Sequence, residues 1–183
     1  MNLSQVAEAV ACLKIASPDG EVASGVNLPP SAQPVVTPVT THFSAAYLVD
    51  EGASLSYVTE ADLTRTGVKH AYLYLQGLNN LARRANGLRM QKAGAMNMLQ
   101  LDGHFEASLV LLDKLWDQSL AAYAPNGAVV ACPARDVLAF CDVKSPEGIG
   151  QLKELAAKVY ADGAHTLSDK LHVRQGGKWD WLA

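Results

Sequence analysis

The sequence predicts an α+β fold, with antiparallel hairpins forming a mixed or antiparallel sheet and three to four helices packed on it. Three observations carry this prediction. Short β-rich runs recur in neighbouring pairs split by turn residues, amphipathic segments of helical spacing lie between the pairs, and single strands do not alternate with helices as a parallel sheet requires. At 183 residues the chain fits one domain at roughly 100–200 residues per domain. The expected organisation is an N-terminal helix and proline-rich arm over 1–41, followed by a single α+β domain over 42–183.

Leu3, Val6, Ala7, Val10 and Leu13 recur at helical intervals, with Asn2 or Ser4 as cap, so residues 3–16 read as a short amphipathic helix. Residues 17–41 hold five prolines and two glycines. Proline removes ladder donors and fixes φ, which makes this arm extended or an edge strand at best. FSAAYLVD and SLSYVT, separated by Glu51, Gly52 and Ala53, form the first hairpin. Thr59 and Asp62 have capping-box spacing, and Gly67 supplies the stop for one or two helical turns between.

A longer helix follows over 68–85, with Val68, Ala71, Tyr72, Leu75, Leu78 and Ala82 on one face and Asn86-Gly87 at its end. LRMQKAG and AMNMLQLDG meet at Gly94 as a second hairpin. The next helix, FEASLVLLDKLWDQSLAAY, is expected to bury Phe105, Leu109, Leu112, Trp116, Leu120 and Tyr123. Two apolar strands then flank Pro133-Ala134-Arg135, and Ser145-Pro146-Glu147 opens a last helix with the face Ile149, Leu152, Leu155, Ala156 and Val159. Gly176-Gly177 turns a third hairpin, whose Trp179 and Trp181 share a strand face and read as a lid on the core. The count is six to eight strands.

Composition narrows the function classes. A net charge of −3 opposes a dedicated nucleic-acid binder. No apolar run reaches the ~18 residues a membrane span needs, and the N-terminal stretch lacks the basic start of a secretory signal, so cytoplasmic residence is expected. Cys12, Cys132 and Cys141 lack close spacing and read as reduced thiols. The charge is uneven. Between Leu63 and Leu101 there are six cations (Arg65, Lys69, Arg83, Arg84, Arg89 and Lys92) and no acid, so the rest of the chain carries −9. That asymmetry suits an acidic partner or a phosphorylated ligand, and it also fits Arg83 and Arg84 complementing a helix C-terminus.

SLSYVTEADL at Ser54–Leu63, FEASLVLLDKLW at Phe105–Trp116, VVACPARDVLAFCD at Val129–Asp142 and LSDKL at Leu167–Leu171 occur in an order that resembles the YtpQ-like family of bacterial proteins, which share a domain of unknown function. The resemblance covers Phe43 to Leu182. It implies a bacterial, soluble protein and brings no catalytic residues to carry over.

The residues themselves offer two candidate sites. Asp102, His104 and Glu106 sit at a strand end and helix start, where proton-transfer groups are often exposed. His104-Phe105-Glu106 has the H-x-E form of zinc deaminases, but those need a P-C-x-x-C helix start, and here Cys132 precedes its proline. With the hairpin turning at 133–136, Cys141 lies about three residues past the partner of Cys132, ~10 Å at 3.3 Å per residue, too far to share a zinc. No metal and no cofactor is therefore expected. Arg135-Asp136, at the tip of that hairpin, either holds an anionic ligand or simply makes the turn. No G-x-S-x-G, P-loop or dinucleotide fingerprint occurs.

The expected function is non-catalytic binding of a protein partner or a small anionic ligand. The alternative is a small enzyme with His104, Glu106 and Asp102 moving protons and Arg135 holding an anionic substrate. Homo-oligomerisation through a sheet edge or the arm is a third expectation.

Overall fold

The computed structural model describes residues 1–15, 29–52, 54–162 and 164–182. The fold is α+β, and every strand pairing among the described residues is antiparallel. The described strands number ten, above the six to eight expected, because Val10–Ile15 and Val36–Pro38, in segments read as helix and arm, are strands. The chain divides into two compact units, Met1–Arg84 and Ala85–Ala183. The boundary expected at 41/42 falls instead inside one sheet, where residues 36–38 pair with residues 44–46.

The first unit opens with α1 (Leu3–Ala7), capped by Asn2 in a reciprocal box with Gln5. The helix expected over 3–16 stops there. Residues 10–15 form β1 (Val10–Ile15), and Ala9 through Leu13 are no more than 6% exposed. An apolar run covered on both faces has no solvated side to set a period, so helix and strand look alike in sequence. β2 (Val36–Pro38) and β4 (Leu55–Tyr57) lie end to end along one edge of β3 (Phe43–Asp50), and β1 pairs along the other. The arm thus supplies an edge strand, as expected from its prolines, while its 16–28 stretch lies outside the described residues. α2 (Glu60–Thr66) is held by the Thr59/Asp62 box and ended by Gly67 at φ 72°.

α3 (His70–Arg84) packs on β1 and β3, but not through its expected face. Its buried residues are Leu73, Gly77, Asn80 and Leu81. A Cβ on Gly77 would stand 2.9 Å from Tyr47 Cδ1, so only glycine admits this approach to the sheet. Asn80 Nδ2 donates to the Ala7 and Ala9 carbonyls at 2.9 and 2.8 Å, satisfying the chain where α1 gives way to β1.

The second unit is a six-stranded sheet in the order β10-β9-β7-β8-β6-β5. β5 (Arg89–Ala93) and β6 (Met96–Gln100) turn at Gly94, β7 (Ala128–Ala134) and β8 (Val137–Asp142) turn at Arg135-Asp136, and β9 (Leu171–Gln175) and β10 (Lys178–Trp181) turn at Gly176-Gly177. α4 (Pro146–Asp162) covers one sheet face, where Leu152 and Ala156 pack with Val129, Ala131, Ala139, Cys141 and Leu171. Side chains alternate along a strand, so Val130, Phe140, His172, Arg174, Trp179 and Trp181 belong to the other face. There Trp116 meets the Phe140 and Trp179 rings edge-on.

That second face is covered by the segment expected to be one regular helix. It is instead a 3₁₀ turn (Ala107–Leu111), a π turn (Leu115–Ser119) and a 3₁₀ turn (Ala121–Tyr123). Phe105 through Leu111 are all buried, leaving no solvated side, and the Leu109 and Val110 carbonyls accept the Trp116 and Trp179 indoles at 2.9 and 3.2 Å. Phe105, Leu109, Trp116 and Leu120 are buried as expected, whereas Leu112 is half-buried and Tyr123 exposed.

Candidate functional site

The Asp102–Glu106 loop and the Arg135-Asp136 turn are joined through their backbones. The Ala107 amide donates to the Arg135 carbonyl at 3.0 Å, and the Arg135 amide donates to His165 O at 3.2 Å. The side chains do other work. Asp102 Oδ1 accepts the His104 and Phe105 amides at 3.0 and 3.3 Å, making an Asx turn around Gly103 at φ 82°. Glu106 is buried, and its Oε1 accepts the Leu101 and Gly103 amides at 2.9 and 2.8 Å. Both carboxylates therefore hold the loop. His104 and Asp136 are exposed and Arg135 is half-buried.

The cysteines are equally occupied in structure. Cys132 is fully buried, and burial alone pushes its thiol far above the ordinary range. Burial, then the neighbouring Asp142 charge, pushes the Cys141 thiol up to about 11. Neither is poised as a thiolate. Among the described residues no three His, Cys, Asp or Glu side chains converge as metal ligands.

Two features escaped the sequence reading. The first is the stripe on α3 that was expected to be core. Tyr72 is 54% and Leu75 61% exposed, one turn apart, with Ala71 and Ala82 also outward and Leu78 half-buried. α3 contains no acid, Lys69 precedes it, and Arg83 and Arg84 close it. Arg84 reaches Asp50 at 3.5 Å, and Arg83 donates to Asn80.

The second is Arg174, only 5% exposed on β9. Asp117 accepts from its Nε at 3.1 Å and its Nη2 at 2.9 Å, Asp113 Oδ1 forms an ion pair with Nη2 at 2.9 Å, and the guanidinium lies 5.4 Å from the Trp179 ring centre. It lines a cleft of about 400 Å³ beside Trp116, Leu120, Ala124 and the Gly176-Gly177 turn. Arg174 and Asp117 are 57 positions apart, so no local motif could announce the pair. The one available signal was alternation, which puts Arg174 on the same strand face as His172.

Comparison with protein families, with curated proteins and with solved structures finds no match. No helix among the described residues is long and apolar enough to cross a membrane.

Proposed function

We propose that the protein is a non-catalytic binding module that docks a protein partner on the outer face of α3, the partner presenting an apolar segment flanked by acids. One observation carries this reading: Tyr72 and Leu75 stand outward at 54% and 61% exposure on a helix without acids. A tyrosine beside a leucine offers large apolar area at little entropic cost, and the surrounding cations steer an acidic partner and fix its register. The cations of the same unit, Lys69, Arg83 and Arg84 among them, support the same partner chemistry. The motif order supports placing the chain with the YtpQ-like proteins, which adds no chemistry.

The alternative, an enzyme using His104, Glu106 and Asp102 with Arg135 as anion holder, draws support from the Ala107–Arg135 backbone bond and from Glu106 Oε2, buried without a partner among the described residues. Its two carboxylates are already engaged by four backbone amides.

The test is fluorescence polarisation with two amphipathic peptides that share one apolar face and differ in carrying Glu or Lys flanks. The Glu peptide is expected to bind, to weaken about tenfold or more in Leu75→Asp, and to weaken as salt rises from about 50 to about 500 mM. Equal binding of both peptides, or an unaffected Leu75→Asp variant, overturns the reading. Dimerisation of the wild-type chain that Leu75→Asp abolishes would assign the face to a second copy instead.

A further inference from the structure

We propose that the Arg174 cleft binds a small zwitterion, an α-amino acid with an apolar side chain. The cleft belongs to the second unit and is independent of the α3 face. Its volume of about 400 Å³ falls within the roughly 300–1,000 Å³ of small-molecule sites.

The charge on its walls selects the ligand. Arg174 and Asp117, the charged residues lining the cleft, put one charge of each sign on its wall, so a simple anion meets the Asp117 carboxylate as a like charge. Yet Arg174 Nη1 is buried without an acceptor among the described residues, so a simple cation leaves it unanswered. A buried guanidinium N–H without a partner is costly, and a ligand carboxylate removes that cost. The Asp117 side chain, 52% exposed, keeps lone pairs open for an ammonium. Trp116, Leu120, Ala121, Ala124 and Pro125 give the remaining wall its apolar character.

The site is built rather than incidental. The π turn over Leu115–Ser119 sets Asp117 against the guanidinium, and such turns recur at functional positions. Gly127, at φ 119°, closes behind the arginine, where a Cβ would stand 2.8 Å from Arg174 O. Gly176 and Gly177, at φ 56° and 76°, form a turn without side chains, and a Cβ on Gly177 would lie 4.0 Å from Arg174 Nη2. A carboxylate can therefore approach the guanidinium past this turn.

Isothermal titration of the full chain tests the proposal, with L-leucine and L-phenylalanine, their amides and their N-acetyl derivatives as probes. The free amino acids are expected to bind saturably, and masking either charge is expected to weaken binding about tenfold or more. Arg174→Lys should abolish binding. Because that variant can also fail to fold, Ala121→Trp, which fills the cleft, is measured beside it. Ala121→Trp is expected to bind at least several-fold more weakly. The proposal is overturned if no probe binds, if the amides and N-acetyl forms match the free amino acids, or if Ala121→Trp binds like wild type.

Discussion

Helix α3 in the first unit and α4 in the second carry apolar stripes of the same helical spacing, and the two stripes meet opposite fates. On α4 the stripe from Ile149 to Val159 faces the sheet, with Leu152 and Ala156 fully buried. On α3 the stripe through Tyr72 and Leu75 faces outward, and the buried side is Leu73, Gly77, Asn80 and Leu81. The difference is what each helix needs from its sheet. α4 needs only apolar filling, plus Gly148 where it crosses Cys141 and the Ala95 carbonyl. α3 must also come close over Tyr47 and satisfy two carbonyls at the start of β1, and glycine and asparagine do that better than the larger apolar side chains. A helix with two apolar sides is oriented by its small and polar residues, and the side left outside is then free for a partner.

Truncating leucines tests this comparison with the largest effects. Leu152→Ala in α4 and Leu81→Ala in α3 each remove a fully buried side chain, at an expected cost of about 2–5 kcal/mol. Leu75→Ala, from the outward stripe, should stay within about 0.5 kcal/mol. All three tryptophans lie in the second unit. Urea unfolding followed by tryptophan fluorescence therefore reads Leu152→Ala, and hydrogen exchange of β1 and β3 reads the α3 pair. If Leu75→Ala costs as much as Leu81→Ala, α3 buries the face its spacing marks and the comparison collapses.

What was legible in sequence is what local chemistry decides. The Thr59/Asp62 box, the Ser145 cap, whose Oγ accepts the Gly148 amide at 3.1 Å, and the hairpin turns at Gly94 and Gly176-Gly177 are each set within a few residues. β1 and the segment from Phe105 to Leu111 were misread because burial on every side erases periodicity. Of the candidate site, the sequence exposed the Asp102–Glu106 and Arg135–Asp136 positions but could not show that the Asp102 and Glu106 carboxylates would be engaged by backbone amides. Arg174 with Asp113 and Asp117 was invisible for the opposite reason, since the partners meet only after β9 packs beneath the π turn.

The glycines sharpen the contrast at smaller cost. A methyl at Gly148 would meet Cys141 Cβ at 2.7 Å and the Ala95 carbonyl at 2.9 Å, whereas at Gly77 it would meet the Tyr47 ring at 2.9 Å. Overpacking costs about 1–3 kcal/mol, and replacing a helical glycine by alanine returns about 1 kcal/mol. Gly148→Ala should lie at the upper end, because its backbone contact at 2.9 Å is closer than the Ala11 nitrogen that a methyl at Gly77 would meet at 3.2 Å. Gly77→Ala should be milder and should loosen α3 from the sheet, read as faster hydrogen exchange in β1. An unchanged exchange rate would mean that the close approach does not orient the helix.

The smallest effect concerns pH, and it separates the units by a carboxylate in each. Burial raises the Asp62 pKa, but hydrogen bonds from the Met1 ammonium and from Thr59 outweigh it and bring the group down to about 2. Asp142 in the second unit is likewise lowered: burial opposes, while the Asn126 and Lys144 amides, the Asn126 side chain and the Lys144 charge prevail. A carboxylate held below its unfolded value near 3.8 contributes stability that is fully present above that pH and is lost as pH falls through the native value. Acid should therefore weaken the Asp62 anchor of α2 between about pH 4 and about pH 2. The protection factors of the α2 amides, which divide out the intrinsic pH dependence of exchange, should fall down this range in the wild type and stay nearly flat in Asp62→Asn, which has already lost the contribution. An Asp62→Asn profile as steep as wild type would place the acid-sensitive group of α2 elsewhere.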